Sequence, residues 1–210
     1  FETHYKDLRP DFVILYHGPN DLRQVSSTPM QNPDAHNSNQ KGPTESLLHS
    51  LLSNQEWALI RVLRRTLQPM QPLQPHWQSR SVTPHMINDL EGRVNQMLRT
   101  AQQRRVKPIL ATHALRAQTG DKGEVARKRV AESAQHLQLM PEKVIAGFSS
   151  YNKMMKNIAQ KRNLPLADIR SVINEDAENW GDATHFRLKG SELAAKEFFT
   201  TISPLLSKKR

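Results

Sequence analysis

The sequence predicts an α/β fold built on a parallel sheet, because three apolar strand candidates alternate with helical patterns. The candidates are residues 11–16, 107–112 and 164–169. Each is a short apolar run of the kind that a strand buried on both faces requires, and strands separated by helices pair in parallel. With 210 residues, of which 37% are hydrophobic, the chain is long enough for one sizeable core.

The first strand candidate, residues 11–16, runs into a polar loop. A glycine turn at Gly18 would present the Asn20 amide just beyond the strand's carboxyl end, where open parallel sheets carry their sites. Asn20 also has a plain structural interpretation, since Asn tolerates left-handed conformations and commonly ends strands. We assign Asp21 to holding the loop, by capping the helix that follows. His17 adjoins Gly18 and either lines the pocket or lies at the surface, and the sequence does not separate these alternatives.

Residues 26–84 differ in composition from the rest of the chain, with many Pro, Gln, Asn and Ser residues. One helical island, at about residues 45–67, carries a leucine-rich stripe, and residues 69–75 indicate an extended linker because their prolines cannot continue a helix. We interpret the segment as an insertion in a single domain that spans residues 1–210. The insertion is either a lid or wall beside the site, or an ordinary one whose helix packs on the body.

Three further segments carry apolar residues at helical spacing, which predicts helices that pack on the sheet. The first precedes the second strand candidate, the second precedes the third candidate, and the last follows it. Their apolar positions are Met86, Leu90, Val94, Leu98 and Ala101; Tyr151, Met154, Met155, Ile158 and Ala159; and Leu193, Ala194, Phe198, Ile202 and Leu205. We interpret these stripes as core rather than as cofactor-binding motifs, and we expect no cofactor.

Asp182 stands three residues before His185, at a loop-to-helix junction near the end of the chain. At this spacing the carboxylate can accept the imidazole Nδ1–H and stabilise the imidazolium, which leaves Nε2 to take a proton from a nucleophile. A lone His near a helix start is more often a polar surface residue, but an acid at this spacing favours the catalytic interpretation. His113 ends the second strand candidate at the same edge of the sheet, where it is either a substrate contact or an ordinary strand-end polar residue.

Two motifs, at residues 18–21 and 182–185, closely resemble the third and fifth sequence blocks of the SGNH, or GDSL, serine hydrolases. The resemblance continues at residues 106–112, which are similar to the family's next buried strand, and at residues 151–168, which are similar to its last helix and strand. It covers residues 1–25 and about 85–206.

The resemblance implies a flavodoxin-like, three-layer α/β/α fold and the hydrolysis of esters through a serine nucleophile with His and Asp. Carried onto this sequence, it makes His185 the general base and Asp182 its orienting acid. The family's oxyanion hole combines the serine N–H, a glycine N–H and an Asn side chain, which here is Asn20. Support of the loop, or contact with the substrate, falls to His17, Gly18 and Asp21. For such a hydrolase we expect the substrate to be a lipid ester, an acetylated sugar or another small ester.

The chain departs from the family pattern because the first block, Gly-Asp-Ser, and the oxyanion glycine of the second block are absent. We therefore expect the chain to be the C-terminal part of a longer protein, with the nucleophile upstream of Phe1. Ser149 and Ser150 are the best local substitutes, since they follow Gly147 and precede a helical pattern whose N–H groups could hold an oxyanion. We interpret them instead as helix-capping serines.

The composition excludes several classes of function. There is no cysteine, so a disulfide framework, thiolate catalysis and Cys-ligated zinc are ruled out. The nine histidines form no HExxH motif or compact His/Asp cluster, and we expect no metal. No run of 18 apolar residues that could cross a membrane is present.

The net charge of +10, from thirty Lys and Arg residues against twenty Asp and Glu, would suit an anionic partner. The basic residues are scattered over helical faces and are not interleaved with aromatics, so we interpret them as solvated surface and expect no nucleic-acid partner. Two alternatives to the hydrolase stay open. One is a catalytically inactive, SGNH-like binding protein, and the other is a basic nucleic-acid-binding module.

Overall fold

The computed structural model describes residues 10–16, 22 and 75–207. Residues 10–16 and 75–207 contain three strands and five α-helices. The strands are β1 (Phe12–Leu15), β2 (Lys107–Ala111) and β3 (Leu166–Ala167). The helices are α1 (Pro84–Gln103), α2 (Gly123–Leu137), α3 (Pro141–Arg162), α4 (Ile169–Val172) and α5 (Leu188–Ser207). Short 3-10 helices occupy Pro75–Ser79 and Ala177–Asn179.

The three strands form one parallel sheet in the order β1-β2-β3. Leu110 of β2 pairs with Leu15 of β1 on one side and with Leu166 of β3 on the other. Because parallel strands all point the same way, the segments that follow them leave the sheet at one common edge. The predicted α/β fold with a parallel sheet is confirmed.

Helices cover both faces of this sheet. Leu110 belongs to a core cluster with residues of α1, α2 and α3, whereas the next residue, Ala111, belongs to a second cluster with residues of α4 and α5. Successive side chains of a strand point to opposite faces, so the two clusters lie on opposite sides of the sheet. The described residues therefore form the three layers, helix, sheet and helix, that the resemblance implies.

Strand β3 is shorter than the strand predicted at residues 164–169. Only Leu166 and Ala167 pair with β2, since the chain turns at Asp168 into helix α4. The N–H of Asp168 donates to the carboxylate of Glu197 on α5 at 3.0 Å instead of continuing the ladder.

Helix α1 begins and packs as its apolar pattern predicts. Thr83 precedes it and accepts the N–H of Met86 at 3.3 Å, and Pro84 occupies its first turn, where a missing N–H costs nothing. The buried residues of α1 are Leu90, Val94, Leu98 and Ala101. The predicted stripe is therefore the face that packs on the sheet.

Helix α2 is not among the predicted helices. Its buried side chains include Ala126, Val130 and Ala134, which are small, and a run of three basic residues, 127–129, interrupts the apolar pattern. A face made of small side chains gives a weak periodic signal, although it allows α2 to pack closely on α3.

Most of the predictions for residues 26–84 fall outside the described residues, among them the helical island at residues 45–67. The single domain spanning residues 1–210 likewise stays a prediction. Within the described part of the chain, no helix combines the length and the apolar character that crossing a bilayer requires.

Candidate active site

The loop that joins α4 to α5, residues 173–187 and here called the dyad loop, holds Asp182 and His185. Oδ2 of Asp182 lies 2.7 Å from Nδ1 of His185, so the hydrogen bond expected from their spacing is present. The His185 side chain is 78% exposed, whereas that of Asp182 is 11% exposed. The other ring nitrogen, Nε2 of His185, makes no hydrogen bond to any described residue.

The backbone around Asp182 orients its carboxylate. Oδ1 accepts the N–H groups of Thr184 and His185, each at 2.8 Å, and the turn is closed by the N–H of Gly181, which donates to the His185 carbonyl at 2.8 Å. Burial alone would raise the pKa of Asp182, but the hydrogen bonds from Thr184 and His185 outweigh it and the pKa lies below its usual value. Asp182 therefore stays ionised at neutral pH and holds a fixed negative charge against the imidazole.

Trp180 anchors the dyad loop in the core cluster that includes Ala111 and Ala194, and hydrogen bonds within the loop hold its shape. Trp180 is 1% exposed, and its indole N–H donates to the carbonyl of Asn174 at 2.7 Å. The carbonyl of Asn179 accepts the N–H of Arg187 at 2.9 Å. It also lies so close to Gly190, in the first turn of α5, that a Cβ at that position would overlap it. The loop is thus fixed on both sides of the Asp182–His185 pair.

A backbone hydrogen bond ties the dyad loop to the carboxyl end of the sheet. Arg116, in the segment that follows β2, donates its N–H to the carbonyl oxygen of Ala183 at 2.9 Å. This segment leaves the sheet at the carboxyl end of β2, which finishes at Ala111. The Asp182–His185 pair therefore lies at the edge where open α/β sheets form their sites.

Strand β1 ends at the same edge. Tyr16, directly after β1, stacks on His113, which follows β2, with ring centroids 5.0 Å apart. Burial raises the pKa of Tyr16 to about 12, with a smaller opposing contribution from the backbone of Ala114, so its hydroxyl stays protonated at neutral pH. The chain then enters the loop predicted to support the site. The residues of that loop with predicted roles, all outside the described residues, are His17, Gly18, Asn20 and Asp21.

His113 is part of the core and not a surface contact for substrate. It is 6% exposed, and its ring lies between Tyr16 and Phe148, with a centroid distance of 5.2 Å to the latter. The side chain of Asn152, on α3, accepts the His113 backbone N–H at 2.8 Å and donates to its carbonyl at 2.9 Å. Asn152 is absent from the predicted site residues, although a polar residue on an apolar helical stripe signals a buried partner.

Ser149 and Ser150 lie inside helix α3, which begins at Pro141. Their interpretation as helix-capping serines is therefore wrong. The helix starts earlier because Pro141 suits a first helical position, and Val144 and Ile145 extend the buried stripe. The interior N–H groups of a helix are already bonded, so these serines are also poor candidates for an oxyanion site.

Among the described residues, no serine hydroxyl hydrogen-bonds to the His185 ring. The same residues contain no group of three or more His, Cys, Asp or Glu side chains that could hold a metal ion. The arrangement that they do contain is an acid–base pair suited to proton transfer at Nε2 of His185.

No family model matches the sequence, and a search of curated proteins finds no match. Among solved structures, the chain is similar to a GDSL-like lipase from Bacteroides thetaiotaomicron, with a TM-score of 0.37 and 16% sequence identity. The match covers 59% of this chain and 54% of the lipase, so the chain spans about half the length of that structure.

Proposed function

We propose that this protein is an ester hydrolase of the serine type, with His185 as the general base and Asp182 as the acid that orients it. The observation that carries the proposal is the 2.7 Å contact between Oδ2 of Asp182 and Nδ1 of His185. A carboxylate in this position holds the proton on Nδ1, so the lone pair of Nε2 points away from the acid and towards an incoming hydroxyl.

In the proposed reaction, Nε2 of His185 takes the proton of a serine hydroxyl while the serine oxygen attacks the ester carbonyl carbon. Asp182, whose lowered pKa keeps it ionised, stabilises the imidazolium that forms. His185 then gives the proton to the leaving alkoxide, and an acyl-enzyme remains. Water repeats the sequence, with His185 again as base, and the carboxylic acid is released.

The unequal exposure of Asp182 and His185 suits these roles. Asp182 is shielded from water, which strengthens its electrostatic effect on the imidazolium. His185 is open to solvent, so its outer nitrogen can reach a substrate. A fixed, shielded acid beside an accessible base is the arrangement that general base catalysis needs.

The serine and the oxyanion donors of the proposal lie outside residues 10–16 and 75–207. Following the family resemblance, we assign the nucleophile to a serine in another part of the protein and one oxyanion donor to the Asn20 side chain. The position of β1 supports this assignment, since Tyr16 and the dyad loop both meet segments that leave the carboxyl end of β2. The proposed supports of the Asn20 loop are His17, Gly18 and Asp21.

A catalytically inactive binding protein is the second candidate. The observation that favours it is the lack of a serine hydroxyl bonded to His185 among the residues that the structure describes. Such a protein would hold a lipid ester, an acetylated sugar or another small ester without cleaving it.

Hydrolysis of p-nitrophenyl acetate by the protein at its full natural length tests the proposal. Replacing His185 with Ala should lower turnover by about 10⁴-fold or more, by analogy with other triads. His85→Ala is the matched control, because His85 is an exposed histidine of α1 far from the dyad loop in sequence. Full turnover in the His185 variant would contradict the proposal, and a wild-type protein without turnover would favour the binding protein.

A further inference from the structure

An open cleft of about 330 Å³ lies between helix α3, the segment that follows β2 and the start of α4. It opens at the carboxyl end of the sheet, where α/β proteins bind their ligands. The residues of the dyad loop do not line it. The cleft is therefore distinct from the Asp182–His185 pair.

The base of the cleft is apolar. Leu115, Ile145 and Phe148 contribute to its lining, and all three are at least 95% buried, so the carbon surface that they present to the cavity is small and closely packed. A surface of this kind accommodates a small apolar group.

Three cationic side chains, those of Lys153, Lys156 and Arg170, also line the cleft. Two of them are held in place. Lys156 Nζ lies 2.6 Å from Oδ2 of Asp168, while Arg170 donates to the carbonyl of Ala117 at 2.7 Å. Two of the three cations of the cleft therefore have fixed positions.

The anchoring of Lys156 extends into the core. Asp168, its partner, accepts the Thr112 hydroxyl at 2.7 Å, and that hydroxyl in turn accepts the N–H of Arg170 at 3.0 Å. This connected network fixes the wall of the cleft before any ligand arrives. A wall that is already fixed loses little side-chain entropy when a ligand binds.

Lys153 has no such partner. Its amine forms no ion pair or hydrogen bond with any residue in the described ranges. Two carboxylates offset the three cations, Asp168 beside Lys156 and Glu175 at 3.9 Å from Arg170, which leaves one net positive charge at Lys153. The cleft therefore has an unbalanced cation above an apolar base.

Hydrogen-bonding groups surround this charge. The side chains of Thr119, Ser149 and Asn157 line the cleft and make no hydrogen bond to another described residue. Hydroxyl and amide groups can donate to the oxygens of a carboxylate or phosphate.

One short segment of the chain contacts both the cleft and the candidate active site. Leu115 and Ala117 line the cleft, while Arg116 between them donates its N–H to Ala183 in the dyad loop. The segment thus has the cleft on one side and the Asp182–His185 pair on the other.

We propose that this cleft binds an oxyanion, a carboxylate or a phosphate, carried on a small apolar group, with Lys153 as its counter-ion. Thr119 and Asn157 donate hydrogen bonds to the oxyanion, and Leu115 and Phe148 contact the apolar part. In an ester hydrolase this ligand is an anionic substrate or the acid product, and that identification of the ligand rests on the proposed function. The binding of an oxyanion in the cleft does not depend on the proposed function.

Titration of the isotope-labelled 210-residue chain, followed by NMR, tests the proposal. The probes are phenyl phosphate and phenylacetate, with benzyl alcohol as the neutral comparison. We expect the amide signals of residues 115–119 and 149–157 to shift with either anion and not with benzyl alcohol. A response to phenyl phosphate alone identifies phosphate as the ligand, and a response to phenylacetate alone identifies a carboxylate.

Lys153→Met should weaken anion binding by about tenfold, since a hydrogen bond to a charged group is among the stronger contacts. Lys143→Met removes the same charge from the exposed surface of the same helix and should leave the affinity unchanged. Both lysines are exposed, so both variants should fold.

Equal affinity in the two lysine variants, shifts confined to other residues, or tight binding of benzyl alcohol would each overturn the proposal. His185→Ala should bind the anions as the wild type does. The binding test can therefore be interpreted even if the turnover assay contradicts the hydrolase proposal.

Discussion

The side chain of Asn152 binds the backbone of His113 on both sides, accepting its N–H at 2.8 Å and donating to its carbonyl at 2.9 Å. His113 follows β2, and Asn152 belongs to the helix that packs against that strand. Through this pair of hydrogen bonds, helix α3 fixes the path of the chain at the carboxyl edge of the sheet. The edge is the one at which the dyad loop is tied to Arg116.

Asn152→Leu should destabilise the protein by about 2–4 kcal/mol, because the buried N–H and carbonyl of His113 lose their partners while the volume of the side chain is kept. Urea denaturation measures the change. The control is Asn157→Leu on the same helix, which is exposed and should shift the free energy of unfolding by less than about 0.5 kcal/mol. Equal effects would mean that the Asn152 hydrogen bonds contribute little.

Asp182→Asn should lower ester turnover by up to about 10⁴-fold in the full-length protein, and His185→Ala by at least as much. The amide can still contact the imidazole, but it favours the wrong tautomer and cannot stabilise the imidazolium by charge. Steady-state kinetics of both variants measure the effect. If Asp182→Asn keeps wild-type turnover, the 2.7 Å contact has no catalytic role.

The stability of the protein should depend on acid pH through Asp182. The pKa of Asp182 in the folded chain lies below the unfolded value of 3.8, so its contribution to stability is complete well above that value. The contribution is lost as the pH falls through the lower, folded-state pKa. Urea denaturation at a series of pH values should therefore give a difference between wild type and Asp182→Asn that shrinks with acidification below about pH 4. A difference independent of pH would contradict this assignment.

Gly190→Ala should destabilise the protein by about 1–3 kcal/mol, because the added Cβ would overlap the carbonyl oxygen of Asn179. Either α5 or the dyad loop must then move, which also displaces Asp182 and His185. Gly92→Ala is the matched control, since no atom lies within 4 Å of a Cβ at that position in α1. That change should stabilise the protein by about 0.5–1 kcal/mol. Thermal denaturation distinguishes the two signs.

Features encoded by neighbouring residues could be predicted from the sequence. The apolar runs of β1 and β2 and the stripe of α1 follow from short periodic patterns, and the Asp182–His185 hydrogen bond follows from a spacing of three residues. The catalytic roles of Asp182 and His185, and the oxyanion role of Asn20, stay predictions.

Features that depend on distant partners could not be predicted in this way. The Asn152–His113 contact joins residues 39 apart, and the Thr112–Asp168 contact, which supports Lys156 and Arg170 of the cleft, joins residues 56 apart. Helix α2 was not predicted for a different reason. Its buried residues include small ones such as Ala126 and Ala134, which contrast little in hydrophobicity with the polar positions around them.

The local nature of the Asp182–His185 contact bears on the order in which the molecule assembles. Closing a loop of three residues costs far less chain entropy than joining residues 39 or 56 apart. Asp182 and His185 can therefore come into contact early in folding. The carboxyl edge of the sheet, beside which they lie, forms only with the slower, non-local contacts between strands. The rate at which the complete arrangement appears is accordingly set by the topology of the sheet and not by the local contact between Asp182 and His185.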